Sequence, residues 1–256
     1  MVIPLPATTN VPTARSVSSE RALQWLAEGW QLFIKAPGMW IGVTVVFLVA
    51  SFAISLVPIL GQLAINLFSP VVVAGLLIGC HALKQGKELR FDHLFAGFRQ
   101  NTGNLIMVGV LWLAGCLAIA LALFLVGGGA MVVSGVFGKS TGAGLALGSL
   151  LFIFLLTLAL MIPLLMALWF APALVVFGGM KPVDALKASF DGCLKNMGPF
   201  LIYGIVAFIL LIVAMLPLAL GLLVLVPVMT SSIYISYIDI YGEITTPDRN
   251  DSDAES

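Results

Sequence analysis

Charge is what this chain lacks. The stretches 36–83, 100–138, 140–180 and 196–238 contain no Asp, Glu, Lys or Arg. Over 256 residues, charged side chains make up 9% and hydrophobic ones 61%, whereas soluble domains carry roughly 25% charged residues. This composition leaves no room for a separate soluble enzyme domain, and the mean hydropathy of +1.12 agrees. A hydrocarbon core about 30 Å thick takes about 20 apolar residues per crossing helix, so each stretch holds one or two spans. The fold class is an all-α, multi-span membrane protein.

Further absences narrow the function. Acids and bases inside spans usually mark an ion path or proton relay; none stands in these stretches, so neither a substrate nor a reaction is identified. The opening MVIPLPATTNVPTARSVSSE lacks a basic cluster followed by an apolar run and a small-residue cleavage site, so it does not read as a cleaved signal peptide. Residues 1–18 are expected to form a disordered leader, and the acidic, polar 243–256 a disordered tail. Cysteine is scarce and odd in number, Cys80, Cys116 and Cys193, which argues against a disulfide framework. Cys80, His81 and His93 are too scattered for a compact metal site; no metal or cofactor is expected. Gly127 to Gly129 with Gly138, Lys139, Ser140 and Thr141 lack the strand and spacing of a phosphate loop. Neither nucleotide nor nucleic acid is an expected partner.

What is present divides into six spans, expected near 38–57, 61–81, 104–126, 145–171, 199–216 and 219–239. Pro58 and Gly61 split the first stretch and Pro217 the last, as tight connections between helices. The middle pair is separated by GGGAMVVSGVFGKSTGAG, read as a loop or partly re-entrant segment over 127–144. Eleven of the twelve Lys and Arg residues fall on one side of this six-span arrangement, and only Lys139 on the other. Because cytoplasmic loops carry the basic excess, both termini are expected in the cytoplasm.

A threefold repeat precedes three transmembrane hairpins. Leu26, Trp30, Lys35, Ala36 and Gly38 align without gaps with Phe91, Phe95, Gln100, Asn101 and Gly103, and with Leu186, Phe190, Lys195, Asn196 and Gly198. Each unit is expected to be an amphipathic helix lying at the cytoplasmic interface, with Leu23, Leu26, Trp30 and Ile34 as one apolar stripe and Val183, Leu186, Phe190 and Leu194 as another. Segments such as LAEGWQLFIKAPGMWIGV and ALKASFDGCLKNMGPFLI resemble an uncharacterised family of six-span proteobacterial inner-membrane proteins. The likeness extends over roughly 20–242. More distantly, the chain resembles the membrane region attached to some glycerophosphodiester phosphodiesterases; the soluble hydrolase domain is absent, so no catalytic residue is implied. The resemblance implies a bacterial inner-membrane location.

Candidate contacts follow from charge and polarity. Lys84, Lys87, Arg90, Arg99, Lys181, Lys187 and Lys195 form a basic rim for lipid headgroups or a partner, each gaining about 1 kcal/mol beside an anionic leaflet; as topology signals they serve insertion alone. Asn66 and Ser69, next to Pro70, form a polar intramembrane site or a helix-packing contact. Tyr234, Tyr237 and Tyr241 read as an interfacial anchor. The leading expectation is a non-enzymatic membrane component engaging phospholipids, a second copy of the chain or another membrane protein. The alternatives are a small-solute transporter or channel, and a lipid enzyme for which His81, His93, Asp92 and Glu88 would be the available groups.

Overall fold

A computed structural model describes residues 13–137 and 142–242, with the side chains of 127–137, 142–147 and 149 outside that description. Lys139, Arg249, residues 1–12 of the leader and the 243–256 tail therefore lie outside the described residues. The elements are α1 (Arg21–Ile34), α2 (Pro37–Ser55), α3 (Leu60–Lys84), a 3-10 helix (Phe91–Phe98), α4 (Thr102–Phe137), α5 (Gly142–Trp169), α6 (Ala171–Val176), α7 (Pro182–Lys195), α8 (Met197–Met215) and α9 (Leu222–Tyr241). Six segments are long and apolar enough to cross a membrane. No strand occurs among the described residues.

The repeat reappears in the backbone. α2, α4 and α8 begin at Pro37, Thr102 and Met197, each one residue before the repeated glycine. Three positions after Leu26, Phe91 and Leu186 stand Gly29, Leu94 and Ser189, and six positions after stand Leu32, Gly97 and Gly192; all six are buried. Inward positions are small where backbones must approach: a Cβ at Gly29 would come 2.8 Å from the Val228 carbonyl oxygen, and one at Gly192 would strike the Tyr241 hydroxyl. The second unit is a 3-10 helix, in which residues three apart eclipse, aligning Leu94 with Gly97 against α3.

Several expectations are corrected. Of the segment 127–144, expected as a loop or partly re-entrant, 127–137 and 142–144 are helical, and 138–141 lie outside the described residues. Residues 13–18, expected with the leader, are pinned to the α9 and α7 ends: Arg15 N–H donates to the Ile240 carbonyl at 2.9 Å, and Val17 N–H to Asn196 Oδ1 at 2.8 Å. Two of the three tyrosines are no interfacial anchor: Tyr234 and Tyr237 are buried, since α1 covers that half of α9, while Tyr241 is half-buried.

The core sits at the end of the molecule that carries the basic residues. There Lys35 Nζ reaches the Leu83 carbonyl at 3.4 Å, Asn101 Nδ2 the Val175 carbonyl at 3.1 Å, and Lys195 Nζ the Ala14 carbonyl at 3.3 Å. The last halves of α3 and α9 and all of α6 are buried together. The break between α5 and α6 is satisfied by Ser189, whose Oγ accepts the Phe170 N–H at 2.9 Å and donates to the Met166 carbonyl at 2.7 Å. At the far end the α2–α3 and α8–α9 turns expose Leu56, Ile59, Leu216 and Leu218, as turns at an apolar boundary do.

Candidate functional site

α3 ends in a glycine stop. Gly86 takes φ +74°, its N–H donates to the Leu83 carbonyl at 3.2 Å, and the Lys87 N–H donates to the Ala82 carbonyl at 2.9 Å. These are the paired bonds of a Schellman motif, which needs the left-handed conformation that glycine adopts freely. The chain then returns as the 3-10 helix and docks on α3 at close range. A Cβ at Gly75 would strike the His93 carbonyl oxygen, one at Gly97 the Val71 carbonyl oxygen, and one at Gly79 would lie 2.7 Å from Leu89 Cδ1. The Gly75 and Gly79 pair thus serves packing within the chain.

Between the α3 end and the 3-10 helix lies a cavity of about 520 Å³. Ile78, Ala82 and Ala96 supply its apolar lining; His81, Gln85, His93 and Gln100 supply polar groups, and Lys87, Glu88, Arg90, Asp92 and Arg99 supply charge. Several of these are already engaged. Arg90 pairs with Asp92 at 3.7 Å, Lys87 Nζ donates to Gln85 Oε1 at 2.7 Å, and the Arg90 N–H donates to His93 Nδ1 at 2.9 Å. The same Nδ1 lies 3.1 Å from the Arg90 carbonyl, so its role follows the tautomer, and burial, the largest influence, pulls His93 below its usual pKa. Gln85 Nε2, which can only donate, meets His81 Nε2 at 2.8 Å, so His81 Nδ1 carries the proton toward the Tyr234 hydroxyl 2.8 Å away.

Some lining groups make no contact of this kind. Among the described residues the Arg99 guanidinium and the Glu88 carboxylate make no hydrogen bond or ion pair. Gln100 is only 9% exposed, and its Oε1 has no partner. A buried amide oxygen without a donor costs about 1–3 kcal/mol.

A second polar cluster is complete and reads as structural. Asp239 Oδ2 accepts from the Arg21 guanidinium and from Trp25 Nε1 at 2.8 Å, and the hydrogen bond to Asp239 raises the Arg21 pKa. Ser232 meets the Tyr203 hydroxyl at 2.6 Å and Ser231 meets Cys80 Sγ at 3.7 Å. These contacts join α1, α3, α8 and α9 around tilted aromatic rings, including Phe170, Phe177 and Tyr237. The sequence reading passed over Asp239, which stands one residue beyond a charge-free stretch. The signal was there: Ser231, Ser232, Ser236 and Asp239 punctuate one apolar helix, and such residues face protein rather than lipid.

The expected basic rim separates into groups. Lys87, Arg90 and Arg99 share the cavity, together with the His81, His93, Asp92 and Glu88 set. Lys84 lies in the last turn of α3. Lys181 stands at the N-cap position of α7 without a side-chain capping bond, Lys187 is exposed on it, and Lys195 is spent on the Ala14 carbonyl. Asn66 holds α3 to α4: its Oδ1 accepts from Trp112 Nε1 at 3.2 Å and its Nδ2 donates to the Gln62 carbonyl at 2.8 Å. Ser69 Oγ donates to the Asn66 carbonyl at 3.1 Å. No His, Cys, Asp and Glu cluster among the described residues has a metal-binding arrangement.

Against known proteins, the chain is 29% identical over 245 residues to a Burkholderia thailandensis protein named as a probable inner membrane protein, covering 88% of this chain and 91% of the relative. No family model matches, and no solved structure matches. The likeness to the membrane region of glycerophosphodiester phosphodiesterases gains no support from these comparisons.

Proposed function

We propose that this protein is a non-enzymatic component of a bacterial inner membrane, with both termini in the cytoplasm, that engages phospholipid at its basic end. One observation carries the reading. In each repeat the pre-span element buries one face on the protein and leaves large apolar side chains outside: Leu23, Trp30 and Ile34; Phe91, Phe95 and Phe98; Val183 and Leu194. Apolar and aromatic side chains beside Lys and Arg at the end of a span are what the headgroup level of a bilayer accepts. The relative's printed name supports the location, and the basic excess on one side supports the orientation.

Transport has less to rest on, because Asn66, its first candidate residue, is spent on Trp112. The test is depth. Nitroxides placed at 30, 95 and 194 in the full chain in lipid nanodiscs should collide with oxygen and with a water-soluble nickel chelate in the ratio of the headgroup layer. Nickel accessibility like that of a free aqueous loop at all three positions would defeat the reading.

A further inference from the structure

We propose that α1 and the segment 13–20 before it form a latch, which closes the three repeats into a ring and opens as a unit about the Lys35–Ala36 joint. The argument starts from how the repeats meet. Each pre-span element packs on a span that ends a hairpin: the 3-10 helix on α3, α7 on α5 and α6, and α1 on α9. Two of these returning spans match in detail. Pro70 and Pro227 each stand fourteen residues before the last residue of their helix, Lys84 and Tyr241. Five and nine residues beyond each proline come small side chains, Gly75 and Gly79 in α3, Ser232 and Ser236 in α9. The carbonyl after each proline, that of Val71 or Val228, lies against a glycine of the docked element, Gly97 or Gly29. α1 thus holds on α9 the place that the 3-10 helix holds on α3, and the first repeat meets the last.

What differs is the covalent link. The 3-10 helix follows α3 after residues 85–90, and α7 follows α6 after 177–181; α4 and α8 then continue from them. Both elements are therefore tethered at each end, and a short tether keeps them at high effective concentration on the spans they cover. α1 is tethered only through α2, and no short connection joins it to α9. Of the three joints this one is held by non-covalent contacts alone, and those contacts set the free energy of opening it.

Polar bonds gather where the tether is missing. In the first two repeats a residue beside the start of the span reaches the end of its own hairpin directly, Lys35 to the Leu83 carbonyl and Asn101 to the Val175 carbonyl. In the third the segment 13–18 stands between. Lys195 Nζ and Asn196 Nδ2 donate to the Ala14 and Arg15 carbonyls. Arg15 carries the connection on to α9, its N–H donating to the Ile240 carbonyl and its guanidinium to the Ile238 and Asp239 carbonyls. Carbonyls at a helix C-terminus lack helical partners and favour a cation. The Arg21–Asp239 ion pair and the Trp25 Nε1 bond to Asp239 are the second hold.

The test compares two fully buried alanines, Ala22 on α1 and Ala185 on α7, in the full chain in lipid nanodiscs. Ala22→Cys and Ala185→Cys are labelled with a water-soluble maleimide under native conditions, and the labelled sites are separated from the native cysteines by peptide mass spectrometry. Ala22→Cys should label about tenfold faster, less than the gain of a full linkage because α1 stays tethered through α2. Asp239→Asn keeps an acceptor for Trp25 but removes the charge facing Arg21; Arg15→Gln, at an exposed position, takes the guanidinium from the α9 end and leaves the fold intact. Each should speed the labelling of Ala22→Cys about tenfold further, the usual value of one charge-assisted hydrogen bond, and leave Ala185→Cys unchanged. Equal labelling of the two positions, no acceleration at Ala22→Cys, or equal acceleration at both overturns the proposal. If a buried cysteine disturbs the fold, hydrogen exchange of the unsubstituted chain decides instead. An undocked helix of 14 residues is marginal, so α1 amides should exchange about tenfold faster than those of α7, and equal exchange overturns the latch.

Discussion

α5 and α9 show opposite uses of an apolar helix. In the most apolar window of the 150–176 span no residue is buried, whereas more than half of the corresponding window of α9, the least apolar of the six, is buried. In water the order would be reversed. In lipid the tails are as apolar as leucine, so hydrophobicity does not draw a helix inward, and packing with polar bonding does. α2 sharpens the point. It is only modestly more apolar than α9 yet is mostly uncovered, and its polar side chains look after themselves: Thr44 bonds the Trp40 carbonyl at 2.8 Å and Ser55 the Phe52 carbonyl at 2.7 Å. Those of α9 reach other helices through Ser231, Ser232, Tyr234 and Asp239.

The largest break in this comparison should come from Asp239→Ala. It leaves the fully buried Trp25 indole without an acceptor and the Arg21 guanidinium with only Glu28 and Gln24, and should cost about 1–3 kcal/mol of stability in reversible detergent unfolding. Gly97→Ala follows. The added Cβ meets the Val71 carbonyl, which is backbone and cannot swing aside, so about 1–3 kcal/mol is expected, with faster proteolysis between 86 and 100. Tyr234→Phe removes the hydroxyl that meets His81 and leaves a buried ring nitrogen unpaired, for about 1–2 kcal/mol by the same unfolding measurement. Thr157→Val on α5 should be nearly silent, since Thr157 bonds only the Ile153 carbonyl of its own helix at 2.7 Å.

Acid should act on the 3-10 helix. The His93 pKa is lowered in the folded chain from the ordinary 6.5, so the unfolded chain binds the proton more readily. The contribution of His93 is then complete above about pH 6.5 and falls as the pH drops below it. Wild type should lose more stability than His93→Gln between pH 7.5 and 5.5, measured as the difference in unfolding midpoints, and equal losses would contradict the assignment.

Much of the fold was legible because membrane spans follow from length and absence of charge, and because the repeat marks where α2, α4 and α8 begin. The inner faces were less legible. On α1 the stripe Leu23, Leu26, Trp30 and Ile34 is clear from periodicity, but all of it except the buried Leu26 points outward; Ala22, Trp25, Gly29 and Leu32 pack on the protein. Periodicity defines faces and does not say which meets lipid when both are apolar. Of the basic rim, Lys87, Arg90 and Arg99 converge because a Schellman turn folds 87–99 back over α3, a tertiary event that charge counting does not register. Gln100 is a similar case: its neighbours mark a repeat position, while its unpaired oxygen is visible only once the 3-10 helix is docked.

The division between lipid-facing and protein-facing helices is tested most directly by photolabelling from the bilayer. With a diazirine carried on the acyl chain, the full chain in nanodiscs should be labelled on α5 around Leu151 to Leu158 and beside Phe91 and Phe95, and scarcely labelled from Ser231 to Asp239. Comparable labelling of α5 and of that half of α9 would contradict the account.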